Sequence, residues 1–108
     1  MTAPYVLSAE AVKAFRDISR TTAARWGTDQ AAKYLSILIT GFEDIAANPR
    51  RGRLYASERT GEFRTRRFGR HHVVYIIEPN APVIIAGLFH ERMDLPARLA
   101  LLTAKPRR

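Results

Sequence analysis

The sequence predicts an α+β fold: a short N-terminal strand, then an antiparallel helical hairpin packed on a mainly antiparallel β-sheet that ends in a three-strand meander. Three observations lead there. Two stretches, 8–26 and 28–48, repeat apolar residues at spacings of three and four, with only Gly27 between them. Residues 63–94 carry β-branched and aromatic runs split by Pro79-Asn80-Ala81-Pro82, the composition of a hairpin. A chain of 108 residues is long enough to bury one core and too short for two, so 1–108 is read as a single domain.

Taken in order, Pro4 to Leu7 is a short apolar run ending at Ser8, a residue suited to cap a helix N-terminus. The first helix then presents Ala11, Phe15, Ile18 and Thr22 on one face, with Arg16, Asp17 and Arg20 pointing away. Gly27 stops it, and Thr28 with Asp29 starts the second at once. That helix presents Ala31, Tyr34, Leu35, Leu38, Phe42, Ile45 and Ala46 until Asn48-Pro49 ends it. So short a connection makes the two helices antiparallel, both burying their stripes on the sheet. The aromatic residues Phe15, Trp26, Tyr34 and Phe42 are read as core.

Pro49 to Gly61 shows neither period and reads as a loop made basic by Arg50, Arg51, Arg53 and Arg59. Phe63 to Phe68 is a basic strand. His71 to Glu78 and Val83 to Glu91 form the hairpin, and a turn centred on Asn80 and Ala81 opposes Ile77 to Ile84, Tyr75 to Ala86, Val73 to Leu88 and His71 to His90. The reverse surface, with Val74, Ile76, Val83, Ile85 and Phe89, is also apolar, so the hairpin needs something to pack against on both sides. Asp94-Leu95-Pro96 signals a last helix start, with one or two turns over Ala97 to Leu102 before a polar tail expected to fray.

Lysine and arginine number 18 against 10 acidic residues, a net charge of +8 and a pI near 10.8, with lysine only at 13, 33 and 105. Such a chain attracts an anionic partner: nucleic acid, an anionic membrane surface or an acidic protein. The absence of cysteine excludes disulfides and thiolate metal sites and fits a reducing cytoplasm. No secretory segment is visible, and no apolar run approaches the ~20 residues of a membrane helix. His71 and His72 point to opposite sides of a strand and cannot readily chelate together, so no metal and no cofactor is expected.

Tyr5-Val-Leu-Ser-Ala-Glu-Ala, Trp26-Gly with Gln30-Ala31 and Tyr34, Asn48-Pro49-Arg-Arg-Gly52, the basic strand, Tyr75, and Leu88-Phe-His90-Glu-Arg92-Met93-Asp94 occur in an order that resembles the ParE branch of the ParE/RelE toxin superfamily. The resemblance covers roughly residues 5 to 94. It implies a RelE/ParE-like fold and a small cytoplasmic toxin of a type II toxin-antitoxin pair. A ParD-like antitoxin would wrap it in a hetero-oligomer, and the free toxin would poison DNA gyrase by binding rather than by chemistry, arresting growth, as in plasmid stabilisation. The target-binding candidates are Arg64, Arg66, Arg67, Arg70, His90 and Arg92. Those for the antitoxin are Val74, Ile76, Ile85 and Phe89.

The RelE branch implies a second reading, a ribosome-dependent mRNA endonuclease. That chemistry needs a base for the ribose hydroxyl, cations for the phosphorane and an acid for the leaving oxygen. His90, Arg92, Arg64 and His71 would then be catalytic. Against it, the sheet has no lysine, and no tyrosine or histidine follows His90. A non-toxic basic nucleic-acid-binding module is a third reading. The plainer roles are an aggregation-resistant charged strand for the arginines and a structural pair at a strand end for His90 and Arg92.

Overall fold

The computed structural model describes residues 5–57, 61–100 and 102. Pro4, Arg59 and the expected frayed tail at 103–108 lie outside them. The order is β1 (Tyr5–Leu7), α1 (Ala9–Trp26), α2 (Thr28–Ala47), a 3-10 turn (Pro49–Arg51), β2 (Arg53–Ser57), β3 (Gly61–Phe68), β4 (His71–Ile76), β5 (Val83–His90) and α3 (Leu95–Leu99). The strands form one sheet ordered β1-β5-β4-β3-β2. β1 runs parallel to β5 and every other pairing is antiparallel.

The α+β class, the helical hairpin and the leading strand are as the sequence predicts. The meander is not: it has four strands, because the segment read as a basic loop contains β2. β2 pairs with β3 from Arg53 opposite Thr65 to Ser57 opposite Gly61 and forms an edge of the sheet. Among the described residues one of its edges is bonded, and its arginine and small residues suit an edge position.

Helix α1 begins where Ser8 caps it, the hydroxyl accepting from Ala11 N at 3.1 Å. The same hydroxyl donates to the Ala86 carbonyl at 3.0 Å, and Ser8 N donates to Ile85 O at 2.9 Å. These bonds matter because β5 is irregular there. The predicted register holds for His71 with His90 and Val73 with Leu88, then slips between Val74 and Tyr75, so that Tyr75 opposes Ile85 and Ile76 opposes Ile84. Ala86 is the extra residue of a β-bulge, which leaves a carbonyl without a ladder partner, and Ser8 supplies one.

The bulge changes which residues face which way. Val83 and Ile85, expected on the reverse surface, join Val73, Tyr75 and Leu88 under the helices, packed with Ala11, Leu38, Phe42 and Ile45. Ala86 moves to the reverse, with Phe63 and Val74. There α3 closes over them. Asp94 caps it through Ala97 N, and Leu95 and Leu99 are buried, with Tyr55, Ile76, Phe89 and Leu102 at the margin. Each such side chain removed from water contributes about 1.5–3 kcal/mol, so both faces of the sheet carry stabilising layers.

Candidate functional site

The end of the sheet where β4 starts and β5 finishes lies beside the tip of the helical hairpin. His71 and His90 are cross-strand partners with ring centroids 5.4 Å apart, edge to face. Tyr34 reaches down from α2 and its phenol oxygen lies 2.6 Å from His71 Nδ1. That oxygen also accepts from Arg70 N at 2.9 Å, so one phenol joins the backbone after Gly69 to the His71 ring. Gly69 makes the contact possible: its φ is +59°, and a Cβ there would meet the Tyr34 ring at 2.8 Å.

Burial, helped by the neighbouring His90 and opposed by Glu91, pushes His71 down to about 4. His71 is therefore neutral at physiological pH. Burial likewise raises the Tyr34 phenol. Neither group is poised to give up a proton near neutrality.

The predicted target-binding residues divide into three places. Arg64 and Arg66 lie on the helix side of β3, Arg64 opposite Tyr75 and Arg66 opposite Val73. Arg64 Nη1 donates to the carbonyls of Gly52 at 3.0 Å and Arg50 at 3.3 Å, tying the 3-10 turn to the sheet. Tyr75 holds the same turn from within, its hydroxyl donating to Pro49 O at 2.6 Å and accepting from Gly52 N at 3.1 Å. A Cβ at Gly52 would strike that hydroxyl at 2.3 Å. Arg66 pairs with Asp44 of α2 and stacks over Phe68 at 4.8 Å, and its guanidinium holds the Asp44 carboxyl below the usual carboxylate range.

Arg67 and Arg70 both hold Glu91, at 2.6 and 3.1 Å, beside the β3–β4 turn. Arg92 is exposed in the turn after β5, and its backbone N–H donates to His90 Nδ1 at 3.1 Å. The four residues of the nuclease reading are thus not one constellation. His71, His90 and Arg92 adjoin, whereas Arg64 is four residues along β3 from Phe68, the partner of His71, a separation of roughly 13 Å at ~3.3 Å per residue.

A family model described as the ParE toxin of type II toxin-antitoxin systems, parDE, matches residues 5–95. The chain belongs to this ParE toxin family. It is 34% identical over 99 residues to Toxin ParE1 of Mycobacterium tuberculosis (strain ATCC 25618 / H37Rv), covering 92% of this chain and all of that one. With Toxin ParE of Escherichia coli it shares 36% over 98 residues, 89% of this chain and 92% of the relative. Among solved structures, one of the chromosomal ParDE system from P. aeruginosa superimposes with a TM-score of 0.65 over 80% of this chain and 92% of that one. At 13% identity that last likeness speaks for the fold. The chain is a ParE toxin of the type II toxin-antitoxin class.

Two expectations about apolar residues need correction in this ParE chain. Val74 and Ile85, read as an open antitoxin face, have no exposed surface: Ile85 is turned under the helices by the bulge, and Val74 is covered on the α3 side. Ile76 and Phe89 stay half-buried at the edge of α3. Trp26, read as core, is 66% exposed. With Ile18, Tyr34, His71, His90 and Met93 it lines a hollow of about 660 Å³ between hairpin tip and sheet end. Sequence reasoning missed that hollow, although one signal existed: Trp26 lies four residues beyond Thr22 at the very end of the first helix, where the sheet no longer reaches.

Proposed function

We propose that this chain arrests growth by binding DNA gyrase and is held inactive by an acidic, ParD-like antitoxin in a cytoplasmic hetero-oligomer. The family match through residues 5–95, which runs across the His90-Glu91-Arg92-Met93-Asp94 motif, carries the reading. The geometry supports action by binding. Arg64, Arg66, Arg67 and Arg70 are each engaged within the chain, and His71 is neutral with Nδ1 occupied by Tyr34. A phosphoryl-transfer site instead needs cations and a proton-exchanging pair converging on one atom. The +8 charge supports an acidic companion. No helix among the described residues is long and apolar enough to cross a membrane.

The test is supercoiling by purified gyrase in the presence of the purified chain, alongside translation of a reporter mRNA on ribosomes. The expected result is inhibited supercoiling with trapped, cleaved DNA and intact mRNA. Undisturbed supercoiling with mRNA cut within codons would replace this reading with the ribonuclease one.

A further inference from the structure

We propose that the hollow between the hairpin tip and the sheet end is the anchor point of the antitoxin, whose acidic segment places a bulky apolar side chain against Trp26 and Met93. This rests on the reading of the chain as an antitoxin-held toxin. Trp26 is 66% and Met93 41% exposed, and both line the hollow with Ile18, Thr21 and Thr22. An indole and a thioether left facing water around one concavity form the type of surface that protein interfaces bury, since interface cores are enriched in Trp, Met and Arg. The hollow is also pre-shaped. Helices of 18 and 20 residues meet through Gly27 alone, so the tip can receive a partner with little ordering cost.

The charges identify the partner. Asp17, on the hollow's wall, is held by Lys13 at 3.2 Å and Arg20 at 3.4 Å, and Glu91 is held by Arg67 and Arg70. Cations outnumber carboxylates two to one at each place. Arg25, 5.8 Å over the Trp26 ring, and Arg92 add to the excess. An acidic surface is complementary to that rim, and Arg67 and Arg70 already show the carboxylate-holding geometry it would use. Ile18, Met93 and two threonines give the walls aliphatic contact beside the Trp26, Tyr34, His71 and His90 rings, a mixed lining suited to a bulky apolar side chain of a polypeptide. Among the described residues the reverse face of the sheet offers no comparable open seat, because α3 covers Phe63, Val74 and Ala86.

The experiment compares the full-length chain with Trp26→Ala and Met93→Glu, using as probe the purified protein encoded by the adjacent antitoxin reading frame. Growth arrest by the chain alone, rescue on co-expression, binding by calorimetry and folding by circular dichroism are read for each. The expected result is that both variants still arrest growth but are no longer rescued, with Kd raised roughly 30-fold or more. Retained toxicity shows that a variant has folded, so lost rescue cannot come from misfolding. Affinity within about threefold of wild type for the folded variants would overturn the inference. So would loss of arrest, or of nucleic-acid binding, with antitoxin affinity intact, because the hollow would then serve another partner. A wild-type chain that fails to bind the probe would instead overturn the antitoxin reading itself.

Discussion

The two faces of the sheet are closed by unequal means. On one, α1 and α2 lay 38 helical residues over Val73, Tyr75, Val83, Ile85 and Leu88. On the other, the five residues of α3, with Leu102 beyond it, cover Phe63, Val74 and Ala86. Both faces bury their central residues, yet the thick layer is interlocked with the rest of the molecule and the thin one is attached at one end of β5. The difference teaches that stability and accessibility are decided separately here. The face that looked available in sequence is shut by a short segment, and an open apolar hollow lies where neither layer reaches, at the hairpin tip.

The sharpest way to break the comparison is a pair of truncations. Phe42→Ala removes a ring that packs on Tyr5 and Phe15 beneath the thick layer and should cost about 3–5 kcal/mol in urea unfolding. Leu99→Ala, in the thin layer, should cost about 2 kcal/mol, because α3 can relax into the space. Equal losses would mean that the two layers are energetically alike.

A third test uses pH. In the unfolded chain His71 titrates near ~6.5, whereas in the folded protein it sits at about 4. As pH falls below 6.5 the unfolded state takes up the proton first, so stability drops progressively down to about pH 4 and no further from this group. Allowing for its partial exposure, the loss is on the order of 1–2 kcal/mol. His71→Gln should flatten that part of the curve of melting temperature against pH. An unchanged slope would place the pH dependence elsewhere. The smallest effect expected is that of Arg64→Ala, which frees two carbonyls of the 3-10 turn and should cost about 1 kcal/mol in the same unfolding assay.

The helices were legible because their signal is local: Ala11, Leu38, Phe42 and Ile45 stand at the helical period, and Ser8, Gly27 and Pro49 mark the ends. The pairing of His71 with His90 was legible from the hairpin's alternation. β2 was not, because Arg53-Leu54-Tyr55-Ala56-Ser57 is an edge strand whose existence depends on the backbone of β3, and the arginines that precede and begin it disguise the alternation. The bulge at Ala86 was hidden for a similar reason. Its spare carbonyl is satisfied by Ser8, 78 positions away, so nothing in the neighbourhood of Ala86 announces it. That single slip explains the misplacement of Ile85. Of the candidate site, the histidines and the basic residues were legible as chemistry, but their division into turn-holding, helix-holding and Glu91-holding arginines depends on contacts between distant segments.

Amide hydrogen exchange on the chain, free and bound to its antitoxin, tests most directly whether partners meet the open tip rather than the closed sheet. New protection around residues 18–30 and 90–93, with α3 and Val74 unchanged, is the predicted result. Protection confined to β4 and β5 together with faster exchange in α3 would show that the thin layer is displaced on binding, and would contradict the account.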